Sequence, residues 1–453
     1  MRDTERIMHK TNYYSQNFFL ALPIMLSSLG QQLVQMVDTL MVGRLGTIPL
    51  AAISFASAMT YNALVIGMGI SMALTPLTGQ NYAKGKREVL VNLFENSLSL
   101  NVLLSIVLVG ILLLLVPFLH LLGQPVAVVA LCKPYYIIVA LSFIPMMCFL
   151  TFKQFLEGID NTKVAMIITV SANILNIFLN WVFIFGKLGF APMGVFGAGL
   201  ATFISRLLMP VAFYLYIKTN NIYKSYIQQF SKQRLSVYMH KCLLRIGIPI
   251  AGQMFIEFFS LFGITIMMGW VSTAALASYQ IINTMISTTF LAASGICSAT
   301  TVLVSHAYGR DDLHEIKKHF LSGWKMVLMI MGCFALVFIF FGRNIAMLFS
   351  TDTEVIRITS ALFLVAGVFQ LIDGTQVSGL AGLRGINDVA RPMLYAVVAY
   401  LFVALPSAYV CGFVLNLGTW SIFAGFMFGL ITAGILYHTR FHKTLRQHFQ
   451  KQR

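Results

Sequence analysis

The chain has 453 residues, 58% of them hydrophobic and only 10% charged, with a mean hydropathy of +0.81 and a net charge of +16. Soluble domains are about 45–50% apolar and about 25% charged, so this composition excludes a soluble fold and points to a chain solvated by lipid. The basic excess lies between apolar runs instead of on one folded face, which argues against nucleic acid as a partner and for the bilayer.

In chain order, Met1 to Gln16 are polar, and the apolar run that follows is too long for a cleavable leader. It reads as a retained helix. Apolar runs of ~20 residues then predict twelve spans, near 17–41, 48–75, 94–119, 131–156, 163–185, 195–217, 243–269, 276–304, 320–342, 357–380, 392–416 and 419–438. Lys and Arg collect at both termini and in the even-numbered loops, 23 residues against only Arg44, Lys187 and Arg343 in the odd-numbered loops. That asymmetry predicts a multi-pass membrane protein with an even number of spans and both termini cytoplasmic. Six scattered cysteines without metal spacing read as small apolar packers.

The second half repeats the first at an offset near 226. Leu22-Pro23-Ile24 matches Ile248-Pro249-Ile250, Met41-Val42-Gly43 matches Met267-Met268-Gly269, and Leu156-Glu157-Gly158-Ile159 matches Leu383-Arg384-Gly385-Ile386 with the offset moved by one. The expected organisation is an N-lobe at 1–217, a cytoplasmic linker at 218–242, a C-lobe at 243–438 and a basic cytoplasmic tail at 439–453. The fold class is all-α integral membrane, with twelve transmembrane helices in two parallel six-helix repeats around a central cavity. Such repeats suit alternating access.

Apart from Glu95, at the cytoplasmic mouth of the third span, three acids fall inside the predicted spans: Asp38, Glu257 and Asp373. An ionised side chain at the bilayer centre costs about 2.5–3.5 kcal/mol on insertion scales, which marks such residues as functional candidates. Ser27, Gln31, Gln35 and Asp38 share one face of the first span by helical spacing. So do Gln253, Glu257 and Ser260 on the seventh span, and Gln370 and Asp373 on the tenth. The fifth span carries Thr169, Asn173, Asn176 and Asn180 on one face, and the eighth carries Tyr279, Asn283 and Ser287, beside Gln280. Interhelical glue is the competing explanation for the amides and hydroxyls, but glue does not require a charge. Arg206, deep in the sixth span, is a candidate static partner for Asp38 or another acid. A carboxylate taken out of water can carry a proton, or hold Na⁺ together with Asn and Thr oxygens, and exchange either for an organic cation. The expected cargo is therefore small organic cations and drugs. The aromatic and Met-rich spans suit these through apolar and cation–π contact.

The first-span segment Gln35-Met36-Val37-Asp38-Thr39-Leu40-Met41-Val42-Gly43 and the tenth-loop segment Gly382-Leu383-Arg384-Gly385-Ile386-Asn387-Asp388 resemble the multidrug and toxic compound extrusion (MATE) family, in its NorM-like bacterial branch. The resemblance spans essentially the whole chain. It implies a monomeric multidrug efflux antiporter, a determinant of antibiotic resistance, with no cofactor and with Na⁺ or H⁺ as coupling ion. It also implies that Asp38 is the N-lobe coupling acid with Asn176, Asn180 and Thr202 as neighbours, and that Glu257 and Asp373 form a C-lobe site. Gln35, Gln253, Gln280, Asn283 and Arg206 complete the expected binding residues, and Asp38, Asn176, Asn180, Glu257 and Asp373 are the candidate Na⁺ ligands. One departure is Phe369, where relatives that bind Na⁺ in the C-lobe tend to carry Tyr one turn before the tenth-span acid.

Rival readings are weaker. Gly79 to Arg87 has five residues between its glycines and no following Ser or Thr, so it is not a phosphate loop. No catalytic motif points to an enzyme, and His306, alone in the eighth loop, reads as a surface residue. A channel lacks a visible filter repeat. A flippase for lipid-linked oligosaccharides would need a cationic cavity, whereas acids prevail here.

Overall fold

In a computed structural model of the chain, residues 12–221, 223, 224, 226 and 235–450 are described. Twelve helices are long and apolar enough to cross a membrane, and the described residues contain no strand. They are α1 (Tyr13–Gly43), α2 (Thr47–Ala83), α3 (Arg87–Leu122), α4 (Val126–Gly158), α5 (Thr162–Phe185), α6 (Gly194–Thr219), α7 (Val237–Val271), α8 (Thr273–Gly309), α9 (Leu313–Phe349), α10 (Thr353–Gly385), α11 (Ala390–Val414) and α12 (Thr419–Gln450). Helices satisfy every backbone group internally, which hydrocarbon requires. The expectation of twelve spans holds. The basic residues Arg2, Arg6, Lys10, Lys232 and Arg234 of the charge pattern, and 451–453 of the tail, lie outside the described residues.

Several helices outrun their apolar stretch. α9 starts at Leu313 because the Asp312 carboxylate accepts the Glu315 amide at 3.0 Å, a side-chain N-cap. α12 continues through residues 439–450, expected as a tail, because Tyr437, Phe441 and Leu445 stay buried against Phe320, Leu380 and Leu383. α8 likewise runs to Gly309, so His306, expected at the surface, is a buried helical residue.

Contacts divide the chain into one unit of 26–251 and another of 12–25 with 252–450. The division therefore falls inside α1 and α7 and not at the 218–242 loop. Pro23 and Pro249, equivalent in the repeat, each precede the changeover by two residues. The first turns of α1 are tied to α8, where Asn17 Nδ2 donates to Thr300 Oγ1 at 3.1 Å. The first turns of α7 press on α2 so closely that a Cβ on Gly69 would fall 2.4 Å from the Ala251 Cα.

The 26–251 unit is built on an apolar cluster that includes Ala56, Leu112, Tyr136 and Phe143. The other unit centres on Ile264, Tyr279, Phe363, Tyr400 and Phe423. Within it, α11 is π-helical over Val397–Ala404 and Val410–Val414, on either side of Pro406. A helix-interior proline lacks an N–H and crowds the preceding turn, and a widened turn accommodates both defects. α12 seats against this stretch through Gly425 and Gly429, a small-residue pair. A Cβ on Gly429 would lie 2.3 Å from the Ala404 Cβ.

Candidate ion-coupling sites

The 26–251 unit carries the first site. Gly30 lets α1 approach α5, since a Cβ there would sit 3.3 Å from Asn173 Nδ2. Gly197 does the same for α6 and α5, with an added Cβ 2.7 Å from the Phe183 backbone. Asn173, Asn176 and Asn180 follow one another at helical spacing on α5, and all three are buried. Half-buried Asp38 meets this row: Asn180 Nδ2 donates to Asp38 Oδ1 and also to Asn176 Oδ1, the latter at 3.2 Å. Asn180 Oδ1 is buried with no hydrogen-bond partner. A carboxylate and an unused amide oxygen are hard oxygen donors of the kind Na⁺ takes, and the same carboxylate could carry a proton instead.

Arg206 is not the ion-pair partner of Asp38. Its Nη1 donates to Ser142 Oγ at 2.8 Å, and no salt bridge joins the two among the described residues. Tyr135 of α4 lies beside both charges. Thr202 spends its hydroxyl on the Ala198 carbonyl at 3.0 Å, and Gln35 is exposed. The structure thus joins Asp38, Asn176 and Asn180 directly, but not Thr202 or Gln35.

The second site lies in the other unit. Gln253 and Glu257 sit one turn apart on α7, and Gln253 Nε2 donates to Glu257 Oε2 at 2.8 Å. Arg384, in the last turn of α10, donates from Nη2 to Gln253 Oε1 at 2.7 Å. A cation is thus relayed through a neutral amide to the acid. Asp373 is buried, with Glu257 as its charged neighbour and no side-chain hydrogen bond or ion pair among the described residues. Tyr400 of α11 aims its hydroxyl at Glu257 without reaching hydrogen-bonding geometry. Tyr437 of α12 and Gln376 of α10 likewise face each other with their polar atoms unpaired. Gln280 is exposed and Asn283 half-buried, and neither makes a side-chain hydrogen bond to the acids among the described residues.

Phe369 does not stand open toward the acid. It is buried and stacked on Phe423, with ring centroids 5.0 Å apart.

Arg384, Tyr400, Tyr437 and Gln376 were not among the residues expected from sequence. For Arg384 a signal existed. In the repeat it stands opposite Glu157, which is buried in α4 and paired with Lys153 at 3.8 Å. A charge before that glycine in both halves marks a buried position.

The MatE family model matches residues 23–182 and again 249–410, one match per repeat. The chain belongs to the MatE family. It is a membrane transporter, not an enzyme. A probable multidrug resistance protein NorM of Rhizobium meliloti (strain 1021) is 28% identical over 96% of this chain and 94% of its own length. The Rhodopseudomonas palustris protein of the same name is 30% identical, covering 95% and 92%. Among solved structures, a MATE transporter in a bent conformation superposes with a TM-score of 0.89 at 19% identity, covering 97% of both chains. A mutant of the Vibrio cholerae MATE transporter VcmN gives 0.86 at 20% identity, covering 96% and 97%. These structures share the MatE fold of this chain.

Proposed function

We propose that this MatE transporter is a multidrug efflux antiporter of the bacterial inner membrane, with both termini cytoplasmic. It exports amphipathic, mostly cationic organic compounds in exchange for Na⁺ or H⁺ by alternating access. The NorM-named relatives support the drug-export part. The coupling part rests chiefly on one observation: Asp38 makes no ion pair among the described residues, Arg206 beside it being bonded to Ser142, and its hydrogen-bond donor is a neutral amide whose own oxygen has no partner there. An acid neutralised by a fixed cation has little reason to take up and release an ion, whereas one held by amides has. Asp38, Asn176 and Asn180 form the proposed N-lobe coupling site. Glu257 and Asp373, with Gln253 and Arg384, form the proposed C-lobe site.

The test is ethidium efflux from pump-deficient cells and from everted vesicles, with Na⁺ and pH varied independently. The expected result is efflux driven by one of the two gradients and lost in Asp38→Asn. Wild-type efflux in both Asp38→Asn and Glu257→Gln would sink the exchange mechanism and favour a flippase or channel.

A further inference from the structure

At the C-terminal end of α12, two helices turn matching faces outward. On α11 the exposed positions that follow Arg391 are Leu394, Val398 and Phe402, the last two in its π-helical stretch. On α12 they are Phe428, Ile431, Ile435 and Thr439, followed by Lys443 and Arg446. Both stripes are apolar along the span and cationic at the same end. Between them opens a cleft of about 580 Å³ lined by Arg391, Tyr395, Thr439, Arg440, Lys443 and Gln447. A second cleft shares Thr439, Lys443 and Gln447 and adds Arg446.

The cations are not consumed by the protein. Asp388 accepts only the Nε of Arg440, at 2.6 Å, together with the Thr444 hydroxyl at 2.7 Å. Arg440 is thereby held in place while its two terminal nitrogens have no partner among the described residues. Arg391 and Lys443 make no ion pair there either. Three cations converge on the cleft and one acid anchors one of them from outside its lining.

We propose that this cleft binds the phosphate headgroup of an anionic phospholipid, whose acyl chains lie along the Leu394–Phe402 and Phe428–Ile435 stripes. Charge complementarity selects the phosphate, since basic pockets between spans at a membrane face suit anionic headgroups. The apolar stripes that lead into the cleft select a lipid over a soluble anion, because a soluble anion makes no use of them. Tyr395 has the amphipathic character expected at that depth.

The test is a titration of the full-length protein in mild detergent, reading the thermal unfolding midpoint against added phosphatidylglycerol or phosphatidylcholine. Phosphatidylglycerol should raise the midpoint saturably and phosphatidylcholine should not. Each cation contributes about a fivefold change in the half-saturating lipid concentration, so R391Q/K443Q should need about 25-fold more. K224Q/K241Q removes the same charge from exposed positions elsewhere and should titrate as wild type. K443Q alone, a single exposed change, carries the comparison with a fivefold effect if the double variant does not fold. The proposal is overturned if R391Q/K443Q and K443Q both bind like wild type, or if K224Q/K241Q loses as much. Equal response to the two lipids also overturns it. A midpoint shift reproduced by glycerol 3-phosphate or inorganic phosphate at the same concentration would make it a free-anion site instead.

Discussion

The two lobes repeat a scaffold but not its chemistry. At the offset that aligns Pro23 with Pro249, Asp38 stands opposite Ile264, a fully buried residue of the apolar core, and Glu257 stands opposite Gln31. The N-lobe acid is held by an amide and makes no ion pair among the described residues, whereas Glu257 is linked through Gln253 to the guanidinium of Arg384. Packing residues recur because both lobes must bury the same helix faces. The acids do not recur, so the two lobes differ in their buried charges. In the proposed mechanism the N-lobe charge is the one answered by a mobile ion. In the C-lobe one acid is already partly answered, and Asp373 beside it is not.

The strongest way to break this comparison is Asp38→Asn. It keeps the shape and a hydrogen-bonding group but removes the charge, so efflux should fall at least tenfold with the protein still folded. Vesicle efflux and size-exclusion profiles measured together check both halves of that statement. Normal efflux would move the coupling acid to the C-lobe.

Arg384→Gln probes the other side. Removing one partner of a buried charge network costs about 3–5 kcal/mol where the pair is fully buried. Glu257 is only half-buried and reached through an amide, so we expect about 1–3 kcal/mol, read as a lowered unfolding midpoint. Part of it should return in Arg384→Gln/Glu257→Gln, with a coupling of about 0.5–3 kcal/mol. An additive double variant would mean that the relay does not connect the two charges. Asp38→Asn should cost less stability, since Arg206 makes no ion pair with Asp38 and keeps its hydrogen bond to Ser142.

Asn180→Ala tests the N-lobe amide. A hydrogen bond to a charged group contributes about 1.5–3 kcal/mol, and Asn180 donates it to the ion-free carboxylate, so its loss should shift the coupling-ion dependence of efflux by about tenfold or more, toward lower H⁺ concentration if H⁺ is the coupling ion. A change in maximal rate alone, with no change in ion dependence, would make Asn180 a packing residue.

The N-lobe site was the more legible in sequence because its polar residues lie on regular helices, where three- and four-residue spacing puts them on one face. Spacing put Asp38 and Asn176–Asn180 each on one face of its own helix, and that they meet was implied by the family resemblance. The C-lobe site was half legible. Arg384 looked like a loop cation, because an apolar-run reading ends the tenth span near 380 while α10 runs to Gly385. Tyr400 was hidden in an uninterrupted apolar run, and the π-helical turns next to Pro406 break the register that spacing arguments assume. Thr202, expected from the family resemblance, and Gln280, expected beside the eighth-span stripe, show the converse failure. Periodicity places a residue on a face but does not say what its side chain bonds to, and a threonine hydroxyl can be satisfied by its own helix.

The smallest expected effect concerns Phe369→Tyr, which would supply the tyrosine that the family resemblance leads one to expect one turn before Asp373. Phe369 is stacked on Phe423 within the cluster of Tyr279 and Ile282, so a hydroxyl on its ring enters an apolar setting. Burying an unpaired hydroxyl costs about 1–3 kcal/mol by mutational measures, and we expect the low end, near 1 kcal/mol, because the ring keeps its packing. Na⁺ dependence of efflux should not change. An increase in apparent Na⁺ affinity, with unfolding unaffected, would mean that the ring can swing out of its stack toward Asp373. The C-lobe acid would then be as open to a mobile ion as Asp38, and the division of labour between the lobes would collapse.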